Sequence, residues 1–253
     1  GQMRPGAAAR PRRVSLVDQA YDAIKHRITT VAYAPGAALN GMQVSEELGI
    51  GRTPVHQALH RLAQEGLVDV LPRKGVMVRP VSLDEIAHII EVRLVNEPYC
   101  AAQAARRATQ ASLEEPKKIL EAAQFELDTG NGVGELMRLD RRFHAWISAT
   151  AGNPVLAEIV KQLQDRAARF WFLSLSESEH PWRVQEEHTE ILRAIAARDE
   201  TRAAEKARIH IESFRNTILP VSYPHLTLPT ILRVPISVLA VFLCDVPTGY
   251  LRI

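Results

Sequence analysis

The stretch that decides the fold is GRTPVHQALHRLAQEGLVDVLPRKGVMV, Gly51–Val78. Val55, Leu59 and Leu62 recur at steps of four and three, the spacing that lays apolar side chains along one face of a helix. Thr53 reads as the N-cap with Pro54 at the first helical position, where a missing N–H costs nothing, and Gly66 ends the run. Arg52, Thr53, His56, Gln57 and His60 then fall on the opposite, outer face. Downstream, LVDVLPRKGVMVRPV alternates apolar residues around a Pro-Arg-Lys-Gly tip, which predicts a two-stranded hairpin crowned by Arg73 and Lys74.

Upstream, LVDQAYDAIKHRITTV places Val17, Tyr21, Ile24 and Ile28 at helical spacing before a Pro35-Gly36 turn. NGMQVSEELGI follows as a short second helix with Val44 and Leu48 inward, closed by Gly49. Helix, helix, turn, helix, hairpin is the order of a winged helix-turn-helix. The first turn of the third helix can aim side chains at base edges in the major groove of DNA, while Arg and Lys neutralise phosphates. Charge agrees with that expectation. Residues 1–80 hold 11 Lys and Arg against 6 Asp and Glu, a net of +5, whereas the remainder holds 20 against 23, a net of −3.

The remainder is expected to be an antiparallel bundle of about six helices with short loops. Its 3.6-residue periodicity has neither strand alternation nor a Gly-rich phosphate loop, and the whole chain is mainly α. In MRLDRRFHAWIS, Met137–Ser148, the carboxylate of Asp140 shares an apolar stripe with Leu136, Phe143 and Ile147, with His144 one turn on. An uncompensated charge there costs several kcal/mol by rough estimate. Val184, His188, Ile191 and Ile195 form a second inward stripe, and Ala203, Ala207, His210 and Phe214 a third. Asp140, His144, His188 and His210 thus make a reasonable ligand set for a divalent ion, zinc first, with nickel, manganese or iron as alternatives. The rival reading is a set of hydrogen-bonded core residues. Arg93 shares a face with Ile86, Ile90 and Glu97, so its guanidinium points inward, toward either a ligand carboxylate or Glu97 itself.

Residues 15–80 resemble the amino-terminal domain of GntR-family bacterial transcription regulators. The resemblance rests on the Pro-Gly turn, the Leu-Gly turn, the Arg-Thr-Pro-Val helix start, the Glu-Gly-Leu-Val exit and the wing glycine, all in order. It implies that Arg52 and Thr53 contact operator DNA, with the wing around Lys74 and Gly75 helping, and the outer-face Gln57 and the hairpin's Arg73 are expected from their positions to join them. The family usually has arginine where this chain has His56, which puts that contact on an imidazole. Residues 83–219, with Asp140-x-x-x-His144, a gap of 44 to His188 and 22 to His210, are similar to the FadR-type carboxy-terminal domain (FCD). That resemblance implies a bound metal and a small organic acid effector held in part by Arg93, while dimerisation is expected because one winged module reads only a half-site.

The expected protein is therefore a homodimeric, cytoplasmic repressor of transcription released by a small acid, with no membrane segment and no enzymatic activity. The alternative is a metal-dependent hydrolase fused to a DNA-binding module, although neither HExxH nor a nucleophile motif is present. Cys100 and Cys244 form no CxxC pair, so neither a disulfide framework nor a cysteine zinc site is expected. Residues 1–14 lack the apolar core of a signal peptide and read as a flexible basic arm. Residues 220–253, rich in Pro and nearly free of charge, lie outside the resemblance and read as a non-native apolar tail.

Overall fold

The structure, a computed structural model, describes residues 14–72, 75–130, 132–174 and 180–219. The basic arm up to residue 13, Arg73 and Lys74 at the wing tip, and the tail 220–253 lie outside the described residues. Two compact units emerge, one running to Ser82 and including Lys161–Arg169, the other comprising Leu83–Val160 and the chain from Phe170.

In the first unit, α1 (Leu16–Thr29) starts at Ser15, whose hydroxyl accepts the Asp18 N–H. A two-residue strand β1 (Ala38–Leu39) precedes α2 (Gly41–Leu48), where the Asn40 side chain accepts the Met42 N–H and Gly49 closes the helix in the left-handed region at φ 63°. Helix α3 (Arg52–Gln64) leads into β2 (Val68–Leu71) and β3 (Gly75–Val78). The sheet is antiparallel in the order β1-β3-β2, with Val70 opposite Val76 and Leu39 also opposite Val76. Strand β1 is an addition to the hairpin expected from sequence, since two residues are too few for alternation to register. The Thr53 cap is corrected: Gly51 occupies the N-cap position and makes no side-chain cap bond. Pro54 fits as the third helical residue because that N–H also lacks an intrahelical acceptor.

The apolar faces of α1, α2 and α3 meet the sheet in one core, with Ile24, Ile28, Val55, Leu59 and Leu62 fully or almost fully buried. An ion cluster lies in the same unit. Lys25 donates to the Tyr21 hydroxyl at 2.7 Å, to Glu65 at 3.1 Å and to Asp165, and Tyr21 donates to Glu65 at 2.7 Å. Burial pushes the Glu65 carboxyl up, but the Tyr21 hydrogen bond and Lys25 outweigh it and hold it below its ordinary range. Asp165 belongs to a long helix that is otherwise part of the second unit. Residues 161–169 of that helix group with the first unit.

The second unit contains α4 (Leu83–Arg107), α5 (Glu114–Thr129), α6 (Val133–Thr150), the ends of α7 (Pro154–Ser174), α8 (His180–Ala196) and α9 (Glu200–Ile218). Helix α4 packs chiefly on α9, α8 on α9, and α5 on α6. Its core joins Ala101, Ala104, Leu139, Phe143, Ile191 and Ile195. No helix among the described residues is long and apolar enough to cross a membrane.

Candidate functional site

Two sets of functional side chains stand out, one in each unit. On α3, Arg52, Thr53, His56 and Gln57 are all exposed, while Val55, Ala58, Leu59 and Leu62 on the other side are buried. The uncapped start of α3 leaves backbone N–H groups at the positive end of the helix dipole, a ready place for a phosphate. The Arg52 guanidinium donates to the Met42 sulfur at 3.3 Å, which steadies it beside α2. The His56 ring lies against the start of α2, where a Cβ on Gly41 would come within 3.2 Å of Nε2. Gly75 opens β3 at φ 91°, a left-handed conformation that only glycine adopts without strain.

In the second unit, Asp140 and His144 lie on α6, His188 on α8 and His210 on α9. The three imidazoles are buried and each offers a nitrogen within 4.8 Å of the other two. The Asp140 Oδ1 lies 3.8 Å from the His144 Nε2 and 3.6 Å from the His188 Nε2. Those spacings are too long for hydrogen bonds but suit ligands arranged around a shared ion. The His188 Nε2 is fully buried and makes no hydrogen bond. A buried imidazole nitrogen without a partner is costly, and a divalent cation would supply one. The donor set fits such an ion.

Carboxylates behind two of the rings decide which nitrogen faces inward. Glu187 lies 2.8 Å from the His210 Nδ1, and Glu97 lies 3.3 Å from the His144 Nδ1. A carboxylate only accepts, so both Nδ1 atoms carry the proton and both Nε2 lone pairs remain for a metal. Burial lowers the proton affinity of His144, but Glu97 and Asp140 outweigh it and raise the net value. For His188, burial and then the neighbouring His210 and His144 hold the ring neutral well below the usual imidazole range. Phe143 packs on His188 with centroids 4.6 Å apart.

Arg93 is buried and forms an i,i+4 pair with Glu97 at 2.5 Å, and its guanidinium lies over Phe214. Through Glu97 it stands one side chain away from His144. Sequence reasoning noted Glu97 only as a rival partner for Arg93 and did not single out Glu187. A signal for Glu187 existed, because it follows Val184 by three and so flanks the buried stripe that carries His188.

The profile of bacterial regulatory proteins of the gntR family matches residues 16–78, and that of the FCD domain matches residues 88–213. An HTH-type transcriptional regulator of the TAR-I ttuE-ttuC' intergenic region of Agrobacterium vitis is 33% identical over 139 residues, covering 54% of this chain and 81% of its own length. The chain belongs to the GntR family. This GntR protein is also 27% identical to the regulator McbR of Escherichia coli, over 74% of this chain and 86% of McbR. The solved structure of McbR/YncC superposes with a TM-score of 0.73 at 25% identity, covering 81% of this chain and 98% of that one. The repressor RspR of Escherichia coli is 22% identical over 79% of this chain and 87% of its own. These relatives are transcription regulators rather than enzymes, and this chain is a DNA-binding transcription regulator of the GntR type with an FCD domain.

Proposed function

We propose that this GntR regulator is a repressor whose hold on operator DNA is controlled by a small carboxylate bound at a divalent metal ion in the helical unit. The observation that supports this reading is the convergence of Asp140, His144, His188 and His210 from three helices around a buried nitrogen that has no hydrogen-bond partner. These four side chains would hold the ion, zinc first and nickel, manganese or iron as alternatives, with Glu97 and Glu187 fixing two of the rings. When bound, the ion supplies a Lewis-acidic centre that accepts a carboxylate. Arg93 stands behind Glu97 and would serve the effector site through that carboxylate and the His144 ring it holds. RspR, one of the relatives, bears the name of a repressor.

Operator contacts fall to Arg52, Thr53, His56 and Gln57 on α3, with Arg73, Lys74 and Gly75 in the wing. The protein acts in the cytoplasm as a homodimer, since a single winged module reads only a half-site. An apolar stripe on α4 supports a dimer face: Val92, Val95 and Tyr99, at steps of three and four, are all exposed. A coupling of about 1–3 kcal/mol between effector and DNA suffices for regulation. The test uses the full chain and an operator obtained by selection from random duplex DNA. Affinity is measured with zinc, with a chelator, and across a panel of organic acids. At least one acid is expected to weaken operator binding about fivefold or more in the presence of zinc only. Operator affinity indifferent to metal and to every acid would instead mark the helical unit as a dimerisation module.

A further inference from the structure

A small cavity of the helical unit abuts the metal quartet, with Asp140 and His188 in its lining. Everything else that the described residues contribute to it is apolar, apart from the Gln185 amide and the indole N–H of Trp171. Leu120 and Leu127 come from α5, Leu136 from α6, Trp171 from α7 and Val184 from α8. One N–H of the Gln185 amide donates to the Leu120 carbonyl at 2.8 Å, which fixes the side chain at the cavity wall. Arg93, the cation next to the quartet, is bound by Glu97 and does not line this cavity.

From this lining we infer that the effector is a short aliphatic monocarboxylate, its carboxyl group at the metal and its hydrocarbon body between α5, α6 and α8. The inference rests on the metal-held carboxylate proposed above and adds the chemistry of the rest of the molecule. A body carrying several hydroxyls would bury more of them than the Gln185 amide could serve, each unpartnered one at a loss of about tenfold in affinity. A second carboxylate would meet Leu and Val side chains, a worse mismatch still. A methylene placed there gains about fourfold. The cavity measures about 30 Å³. At roughly 10–15 Å³ for each water-sized group, it takes a body of a few carbons and not a long acyl chain.

The test is isothermal titration of the zinc-loaded full-length protein with four probes: propionate, butyrate, succinate and glycerate. Propionate and butyrate are expected to bind at least about tenfold more tightly than succinate and glycerate. Binding of all four should disappear in the chelator-treated protein. Succinate or glycerate binding as tightly as the aliphatic acids would overturn the inference while leaving the metal-held carboxylate standing. No binding of any probe to protein holding one equivalent of zinc would overturn both. Val184→Thr, which keeps the side-chain shape and exchanges a methyl for a hydroxyl, should weaken butyrate severalfold at unchanged zinc content. Unchanged butyrate affinity in that variant would place the hydrocarbon body elsewhere.

Discussion

Replacing His188 by Ala tests the metal centre most directly, and the structure sets the size of the effect. The ring is buried, packs on Phe143 and places an unpartnered Nε2 within 3.6 Å of Asp140. Without it, His144 and His210 remain on two other helices and no longer enclose the ion. For the parent protein, free zinc held at 100 times its dissociation constant adds about 2.7 kcal/mol to stability. In a unit of this size each kcal/mol moves the melting midpoint by roughly 2–4 °C, so a chelator should lower the parent midpoint by about 5–11 °C. The His188→Ala protein should melt at one temperature with or without chelator. Loss of packing against Phe143 also lowers its midpoint, but equally in both conditions, so the chelator response isolates the metal. Elemental analysis after dialysis should find one equivalent of metal on the parent and a small fraction on the variant. A His188→Ala protein that keeps a full equivalent, or that still loses 5–11 °C to the chelator, refutes the assignment of this quartet.

Four further outcomes are expected. Arg52→Ala should weaken operator binding by about 1–3 kcal/mol in a fluorescence titration, with zinc content unchanged, because α3 lies in the other unit. Glu187→Gln should lower zinc affinity about 10–100-fold in a competition with a chromophoric chelator, since a neutral amide orients the His210 ring less well and makes it less basic. Val95→Glu should dissociate the proposed homodimer in sedimentation velocity while changing monomer stability by only about 0.5 kcal/mol, as the side chain is 74% exposed. Burial and then Arg183 lower His180 to about 4, so between that value and an ordinary unfolded value of ~6.5 the unfolded chain binds the extra proton. The stability difference between the parent and His180→Gln should therefore shrink as pH falls from ~6.5 to 4, by up to about 1.4 kcal/mol per pH unit, and urea melts with a flat difference would count against it.

Some features were legible in the sequence because a single helix face records them. Val184, His188, Ile191 and Ile195 are all buried, as steps of four, three and four require. The same holds for Ala203, Ala207, His210 and Phe214. Other features depend on what a side chain meets across space, which periodicity does not encode. Strand β1 is defined only by its pairing with Val76 and Met77 of β3. The start of α3 slipped by two residues because Thr53-Pro54 imitates a cap whose place Gly51 takes. The grouping of residues 161–169 with the first unit follows a buried bond between Lys25 and Asp165, 140 positions apart.

Arg93 shows where the inward direction of a side chain stops being informative. Spacing placed the guanidinium in the interior, and burial agrees, but two partners suited it equally on a helix: a bound carboxylate or the glutamate four residues on. In the structure Glu97 holds it, and the same carboxylate reaches the His144 Nδ1. Burial raises the Glu97 carboxyl, yet Arg93 and His144 together overcome that and keep it ionised far below the usual range. The pair therefore links the guanidinium to the ring that would hold the metal. If an acid drew Arg93 away, Glu97 would be left in a buried site with the Nδ1–H of His144 as its remaining partner, a loss of several kcal/mol unless the carboxylate moved with the guanidinium. A monocarboxylate lodged at the metal and in the apolar cavity avoids that loss, because it leaves the Arg93–Glu97 pair closed. Arg93→Ala would then do its damage through Glu97 and His144, showing up first as weaker zinc binding and only secondarily as a weaker response to acid.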